Sequence, residues 1–252
     1  YDEAEAGTIA ALGYTDEDGY VYLPFAAIAE EEGGYPYSYT VRIVWLGVNV
    51  YDSYEKEIDP EVKILSPTIF YTAVTDVFDV TIKLTDDVGR PLSAMRYEFE
   101  GTAPIEYTKS GSTGTDGTFT AILVPKGDYK LTAWWRDTNI KILEVDLTID
   151  QNYAELPVKC KVYDALFTFK TVRGSPLANA YVKVKYPDGR TLEGTTNEYG
   201  ELSFTQVPVG EVEVTEVTWL DTPITLVEPK VTVDKTGEYA FTASNVYILT
   251  VR

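Results

Sequence analysis

The chain has 252 residues, a length that accommodates one large domain or two to three small ones. Its 40 acidic residues outnumber 21 lysines and arginines, and the resulting net charge of −19 argues against nucleic acid and anionic membrane surfaces as partners. The 20 Tyr and nine Phe, together with abundant Val and Thr, favour β-strands, and no apolar run approaches the roughly 18 residues of a membrane span.

The N-terminal segment, residues 1–75, is predicted to be a partial repeat that lacks its first strands. It contains an acidic turn at residues 15–19 and an alternating strand that runs from Tyr39 to Trp45. Both features have counterparts later in the chain. An inserted loop at residues 26–38 interrupts this segment, and its Ala26 to Glu32 stretch is the best helical candidate, although it is too short to form a stable helix alone.

The acidic turn offers closely spaced oxygen atoms of the kind that calcium prefers. Asp16 and Asp18 precede Gly19 and are the strongest metal-site candidates in the sequence. Asp86 and Asp87 form a weaker candidate. The alternative is that Asp and Gly simply shape the turn, since both residue types favour turns. No cofactor is required by either interpretation, and calcium is the most plausible ligand.

The inserted loop is also the predicted partner contact. It carries an acidic run, which is a second calcium candidate, and then a tyrosine-rich segment. An insertion found in one repeat only is a common place for a specific contact, and tyrosine gives a large contact area at low entropy cost. The residues proposed for this contact are Glu30, Glu31, Glu32, Tyr35, Tyr37 and Tyr39.

The middle of the chain contains two copies of one pattern, at residues 76–160 and 161–244. The strand that opens at Val77 returns at Val162, and Gly89-Arg90-Pro91-Leu92 returns as Gly174-Ser175-Pro176-Leu177, both 85 positions later. Three further landmarks follow in the same order: Thr115-Asp116-Gly117 returns as Glu198-Tyr199-Gly200, Pro125-Lys126-Gly127 returns as Pro208-Val209-Gly210, and Trp134 is matched to Trp219. Residues 245–252 repeat the opening strand again, either as the first strand of a further repeat or as a donor strand.

Alternating apolar and polar residues predict the fold of each copy. Val80, Ile82 and Leu84 alternate with polar residues in the first opening strand, as Ala165, Phe167 and Phe169 do in the second. Alternation of period two places one face of a strand on a core and the other in water. We therefore predict an all-β protein built of tandem β-sandwich domains of about 85 residues, of immunoglobulin-like or transthyretin-like type.

The order of strand, Gly-x-Pro-Leu turn, strand, Thr-Asp-x-Gly turn and Pro-x-Gly-x-Tyr turn resembles carboxypeptidase regulatory-like and collagen-adhesin B-type repeats, which are transthyretin-like β-sandwiches. The resemblance implies a spacer, stalk, adhesin or surface-layer component, most similar to archaeal surface-layer or surface-filament proteins. It also implies a possible Lys–Asn isopeptide bond. Lys83 and Lys170 lie on the polar side of their strands and at non-equivalent positions, so solvated lysines are the favoured interpretation.

Catalysis is not expected. General acid–base chemistry most often uses histidine, and the sequence has none, nor a nucleophile motif or a phosphate-binding glycine loop. The single cysteine, Cys160, is expected to be a small buried residue. Trp134, Trp135 and Trp219 are expected to pack in cores and between domains, with a carbohydrate platform as the alternative.

The leading functional hypothesis is an extracellular segment of a surface-layer protein whose domains act as spacers and contact copies of themselves. The composition, with one Met and no His, also suggests a thermophile. One alternative is an extracellular filament or pilus subunit linked by donor strands. Another is an adhesive or carbohydrate-binding accessory region that contacts surface glycans. None of these involves membrane contact by this segment.

Overall fold

A computed structural model describes residues 11–23, 38–39, 41–53, 62–63 and 72–246. The chain divides into two compact units, one formed by Tyr1–Trp45 with Asn49–Thr75 and the other by Leu46–Val48 with Asp76–Arg252. All regular secondary structure in the described ranges is β-strand, which confirms the predicted all-β class. Within these ranges no helix is long and apolar enough to cross a membrane.

Two short strand pairings lie in the described residues between positions 38 and 63. Strand β1 (Ser38–Tyr39) pairs with β4 (Val62–Lys63), and β2 (Arg42–Trp45) shares a two-stranded sheet with β3 (Val48–Asp52). The Arg42 guanidinium lies 2.8 Å from the Asp52 carboxylate, whose side chain is only 3% exposed. The helical candidate Ala26–Glu32 and nearly all of the inserted loop lie outside the described residues.

The first sandwich, residues 76–160, has seven strands in two sheets. One sheet has the order β10-β9-β6-β7 and the other β11-β5-β8. The strands are β5 (Val77–Thr85), β6 (Arg96–Gly101), β7 (Thr108–Ser112), β8 (Thr118–Pro125), β9 (Gly127–Trp134), β10 (Lys141–Ile149) and β11 (Tyr153–Lys159).

The second sandwich, residues 161–246, repeats this plan. Its sheets have the orders β15-β12-β19 and β14-β13-β16-β17, with β18 also paired to β16. The strands are β12 (Val162–Thr171), β13 (Tyr181–Lys185), β14 (Thr191–Thr195), β15 (Glu201–Pro208), β16 (Gly210–Trp219), β17 (Thr222–Pro223), β18 (Lys230–Val233) and β19 (Gly237–Ala243).

The predicted alternation produces both cores. Val80, Ile82 and Leu84 are fully buried in the first sandwich, and Phe167 and Phe169 are fully buried in the second. Each set meets apolar side chains of the facing sheet, so each copy closes its own hydrophobic cluster. The two-sheet β-sandwich predicted from period-two alternation is therefore the fold of both copies.

In each sandwich the first and last strands lie side by side and run parallel. Strand β5 pairs with β11, and β12 pairs with β19. On the solvent side, Lys83 Nζ lies 3.1 Å from Glu155 Oε1, and Lys170 Nζ lies 3.7 Å from Glu238 Oε1. Both lysines thus form ion pairs between the first and last strands, in keeping with the surface role that the sequence favoured.

The Pro-x-Gly turn requires its glycine. Gly127 has a φ of +150° and Gly210 a φ of +142°, values that residues with a side chain rarely adopt. In the first sandwich the Tyr129 hydroxyl closes this turn by donating to the Pro125 carbonyl at 2.7 Å. The second sandwich has Val212 in place of this tyrosine and keeps the turn without the hydroxyl.

A carboxylate on the outer face of strands β9 and β10 makes part of the stability pH-dependent. Hydrogen bonds from Lys130 and Lys141 lower the pKa of Glu144 from 4.5 to about 2. Because the folded-state pKa lies below that of the unfolded chain, this contribution is complete above pH 4.5 and is lost as the pH falls to about 2. We expect the urea midpoint of Glu144→Gln to fall less steeply over this pH range than that of the unmodified protein. An equal change of the urea midpoint with pH in the two proteins would contradict this assignment.

Candidate functional site

The candidate site is the joint, defined here as the contacts between the first and second sandwiches. Only Cys160 and Lys161 separate strand β11 from strand β12. Both are fixed through the backbone: Cys160 N–H donates to the Thr85 carbonyl, and Lys161 N–H donates to the Ile142 carbonyl, each at 2.7 Å. The Lys161 carbonyl in turn accepts the Val209 N–H of the second sandwich at 3.0 Å.

An arginine crosses the joint. Asp86, at the end of β5, accepts the backbone N–H groups of Val88 and Arg90 and also the Arg90 Nε–H, the last at 2.7 Å. The other arm of the Arg90 guanidinium donates to Asp164 of the second sandwich. These two carboxylate hydrogen bonds raise the pKa of Arg90. The Asp86 side chain is fully buried, so the arginine neutralises a carboxylate that has no access to water.

A β-bulge holds the receiving carboxylate. Gln206, in strand β15, has a φ of +52°, and its N–H donates to Asp164 Oδ1 at 3.1 Å. Its side-chain amide donates to the Pro91 carbonyl of the first sandwich at 3.3 Å. The first sandwich repeats this arrangement, since Leu123 has a φ of +54° and its N–H donates to Asp79 at 3.1 Å. Both copies therefore present a bulge-held carboxylate at the same end of the sandwich.

A tryptophan provides the second contact across the joint. Trp135 is 2% exposed and belongs to the core of the first sandwich, yet its Nε1–H donates to Asp188 Oδ2 of the second sandwich at 2.9 Å. Burial raises the pKa of Asp188, but hydrogen bonds from Arg190 and Trp135 outweigh this effect and leave the pKa lowered. A side chain that is packed in one core and bonded to the other domain restricts movement between them.

Cys160 lies within the joint, as a buried thiol that is 3% exposed. Burial, with a smaller effect of Asp86, raises the pKa of this thiol to about 12. We expect a thiolate-directed reagent to label the native protein far more slowly than the urea-unfolded protein at pH 8, with one thiol per chain. Fast labelling of the native protein would contradict the tight joint described above.

Asp16 acts in the structure as a turn-forming residue. Its Oδ1 accepts the N–H groups of Asp18 and Tyr20 at 3.1 and 2.8 Å. Among the described residues there is no group of three His, Cys, Asp or Glu side chains placed to hold a metal ion. Calcium at Asp16 and Asp18 stays a prediction.

The predicted partner contact falls mainly outside the described residues. Glu30, Glu31, Glu32, Tyr35 and Tyr37 lie there, whereas Tyr39 lies in β1, opposite Val62. The contact itself therefore stays a prediction.

The three tryptophans of the repeats do not line up as a platform. Trp134 lies on the outer face of its sheet beneath the Arg96 guanidinium, which is 4.7 Å from the ring centroid. Trp219 packs against the second core and donates to the Ala178 carbonyl at 2.9 Å. The predicted match of Trp134 to Trp219 is wrong, because a bulge in strand β16 shifts the register: Arg96 faces Trp134, and its counterpart Tyr181 faces Thr218. Trp219 thus corresponds to Trp135.

Sequence reasoning missed the polar residues of the joint, namely Asp86 as an arginine partner, Arg90, Asp164, Asp188 and Gln206. One signal was available, because Asp79 and Asp164 occupy equivalent positions in the two opening strands. The pairing of Asp164 with Arg90 joins different repeats, and no comparison of the copies with each other could reveal it.

No protein-family model matches this sequence, and no curated protein has significant similarity to it. Solved structures with a similar fold include a streptococcal ancillary pilin, at 14% identity over 83% of this chain and 76% of that one, with a TM-score of 0.31. A minor pilin of the gram-positive pathogen Streptococcus agalactiae is 13% identical over 69% and 99% of the chains, with a TM-score of 0.35. The shaft pilin of Lactobacillus rhamnosus GG is 12% identical over 68% and 100%, with a TM-score of 0.30. Likenesses this weak assign no function.

Proposed function

We propose that this chain is a structural segment of a cell-surface protein, in which β-sandwich domains are held in a fixed orientation and act as stiff spacers. The observation that carries the proposal is the joint. A two-residue linker, an arginine–carboxylate contact from Arg90 to Asp164 and a shared tryptophan leave little freedom between the sandwiches. In an array of such units each domain contacts mainly its neighbours, so the function of the array is to provide length and stiffness.

The chemistry of the described surface supports a structural role over catalysis. Its depressions are shallow and open, such as one of about 550 Å³ lined by Arg96, Glu98, Ser110 and Trp134 on an outer sheet face. We therefore expect no enzymatic activity. The net charge of −19 keeps such a surface soluble and discourages nonspecific contact with other acidic polymers.

Within this role, we favour a surface-layer protein, and an extracellular filament subunit is the alternative. Both place the chain outside the cell and make copies of the same chain its principal partners. Calcium at the acidic turn and a source in a thermophilic archaeon belong to the same proposal. They rest on the sequence pattern and composition alone.

The stiffness can be measured within single molecules. Cys160→Ala provides a cysteine-free background, and Ala243 at the equivalent position of the second sandwich shows that alanine fits there. Spin labels at Ser110→Cys and Glu193→Cys would then report the distance between the sandwiches by pulsed electron resonance. We expect one narrow distribution of distances between the two spin labels. Insertion of several Gly and Ser residues after Lys161 is the matched control and should broaden it. An equally broad distribution without the insertion would refute the spacer proposal.

The cellular location needs a separate test. Immunogold labelling of intact source cells with antibodies to residues 76–246 should decorate the outside of the envelope. A regular lattice of label would favour the surface layer, and labelled threads extending from the cell would favour the filament. Label confined to the cell interior would contradict both assignments.

A further inference from the structure

The outer face of the first sandwich contains an open depression of about 550 Å³ over strands β6, β7 and β9, which we call the indole depression. Arg96 of the central strand β6 lies between Trp134 of β9 and Ser112 of β7. Glu98, two residues further along β6, lies beside Ser110 of β7. These side chains share the outward face, because the residues that alternate with Arg96, Glu98 and Trp134 are buried in the core.

The polar groups of the indole depression are available to a ligand. Arg96 stacks on the half-buried indole of Trp134, with its guanidinium carbon 4.7 Å from the ring centroid, and this contact leaves its N–H groups free to donate. Within the described part of the chain, the side chains of Arg96, Glu98, Ser110 and Ser112 make neither an ion pair nor a hydrogen bond. A guanidinium, a carboxylate and two hydroxyl groups therefore surround an aromatic surface without satisfying each other.

The second sandwich provides an internal comparison, because the same face of its sheet is built differently. Tyr181 and Thr218 lie side by side where the arginine and the tryptophan lie in the first sandwich. Next to them, Lys183 Nζ lies 3.4 Å from Glu193 Oε1, so the charged groups at this position pair with each other. The indole with its unpaired polar neighbours is therefore not a requirement of the fold, and it distinguishes the first copy from the second.

We propose that the indole depression binds neutral glycans, which gives the chain a binding function in addition to its spacer role. One face of a hexose ring presents mostly C–H groups, and these pack against an indole. The hydroxyl groups of the sugar both donate and accept hydrogen bonds, so they can engage the guanidinium, the carboxylate and the serine hydroxyls together. Of the three tryptophans considered as a carbohydrate platform, only Trp134 enters this site.

Charge and shape favour this class of ligand over others. The lining includes one arginine and one glutamate, so their charges balance, and Glu98 repels the phosphate or carboxylate groups of an acidic polymer. An apolar protein segment fits poorly, because charged and hydroxyl side chains surround the indole. An open depression contacts only one side of a ligand, so we expect weak binding, with a Kd on the order of 1 mM.

Nuclear magnetic resonance of the isotope-labelled whole chain tests the proposal, with mannotriose, cellotriose and maltotriose as probes. We expect at least one of these neutral sugars to shift amide signals of strands β6, β7 and β9, and oligogalacturonate to shift none of them. Trp134→Ala should weaken the binding at least about tenfold, because it removes the stacking surface. Glu98→Gln, which keeps the shape of the side chain but removes its charge, should also weaken it.

Tyr199→Ala is the matched control, since it removes an aromatic side chain that is 62% exposed and lies in the second sandwich. It should bind the sugar as the unmodified chain does. The dispersion of the amide signals verifies that every variant folds.

Three results would overturn the proposal. The first is no shift with any of the three trisaccharides, and the second is equal binding by the unmodified chain and Trp134→Ala. The third is binding of oligogalacturonate alone, which would make the site one for acidic groups. Each result would leave the spacer role untouched, because that role is judged by the distance distribution between the two sandwiches inside one molecule.

Discussion

Replacement of Trp135 by alanine is expected to destabilise the first sandwich by about 3–5 kcal/mol, the usual cost of truncating a fully buried tryptophan. The indole is 2% exposed and belongs to the core cluster of the first sandwich, so its truncation leaves a buried cavity. The same change removes the hydrogen bond to Asp188 and so weakens the joint. Urea unfolding followed by circular dichroism, with hydrogen exchange to resolve the two sandwiches, measures both effects.

The adjacent tryptophan is the control for this prediction. Trp134 has the same chemistry, but it lies half-buried on the outer face, where it contacts Arg96. We expect Trp134→Ala to cost about 1 kcal/mol or less, as for a partly exposed cation–π pair. Equal losses for the two variants would mean that Trp135 is not the core residue described here.

Replacement of Arg90 by alanine is expected to destabilise the joint by about 2 kcal/mol, within the range for hydrogen bonds to charged groups. A larger loss is not expected, since Asp86 still accepts the N–H groups of Val88 and residue 90 and so is not left without partners. If opening of the joint exposes the thiol, 2 kcal/mol corresponds to about thirtyfold faster labelling of Cys160. The rate of thiol labelling under native conditions is the measurement.

Two further variants test whether the effect of Arg90→Ala comes from its contact with Asp164. Arg173→Ala removes an exposed arginine at the other end of the second sandwich and should leave the labelling rate unchanged. Asp164→Ala should accelerate labelling, and combining it with Arg90→Ala should add less than the sum of the two effects, as expected for directly bonded residues. Fully additive effects would show that Arg90 and Asp164 do not interact.

The fold was predictable because it depends on local pattern. Alternation in the opening strands identified Val80, Ile82, Phe167 and Phe169 as core residues. The joint was not predictable in the same way. Arg90 and Asp164 are 74 positions apart, and nothing in the sequence around either residue indicates that a β-bulge at Gln206 brings its partner carboxylate into position.

The equivalence of the tryptophans shows a second limit. Counting residues paired Trp134 with Trp219, whereas the hydrogen-bond register pairs Trp135 with Trp219. One extra residue in strand β16 accounts for the difference, and a bulge of this kind leaves no consistent trace in sequence. The error mattered, because it obscured the left-handed turn that follows Trp135 and Trp219, at Arg136 and Leu220.

The parallel pairing of first and last strands determines how each sandwich responds to tension along the array. Tension in the chain acts on the first sandwich at the start of β5 and at the end of β11. Strand β11 is hydrogen-bonded to β5 from Val80 to Thr85. The force therefore runs along the strands, and every hydrogen bond of the pair is strained together in shear rather than broken one at a time. Strands β12 and β19 repeat this arrangement over seven residue pairs. A row of such domains would resist extension well beyond what its equilibrium stability alone suggests.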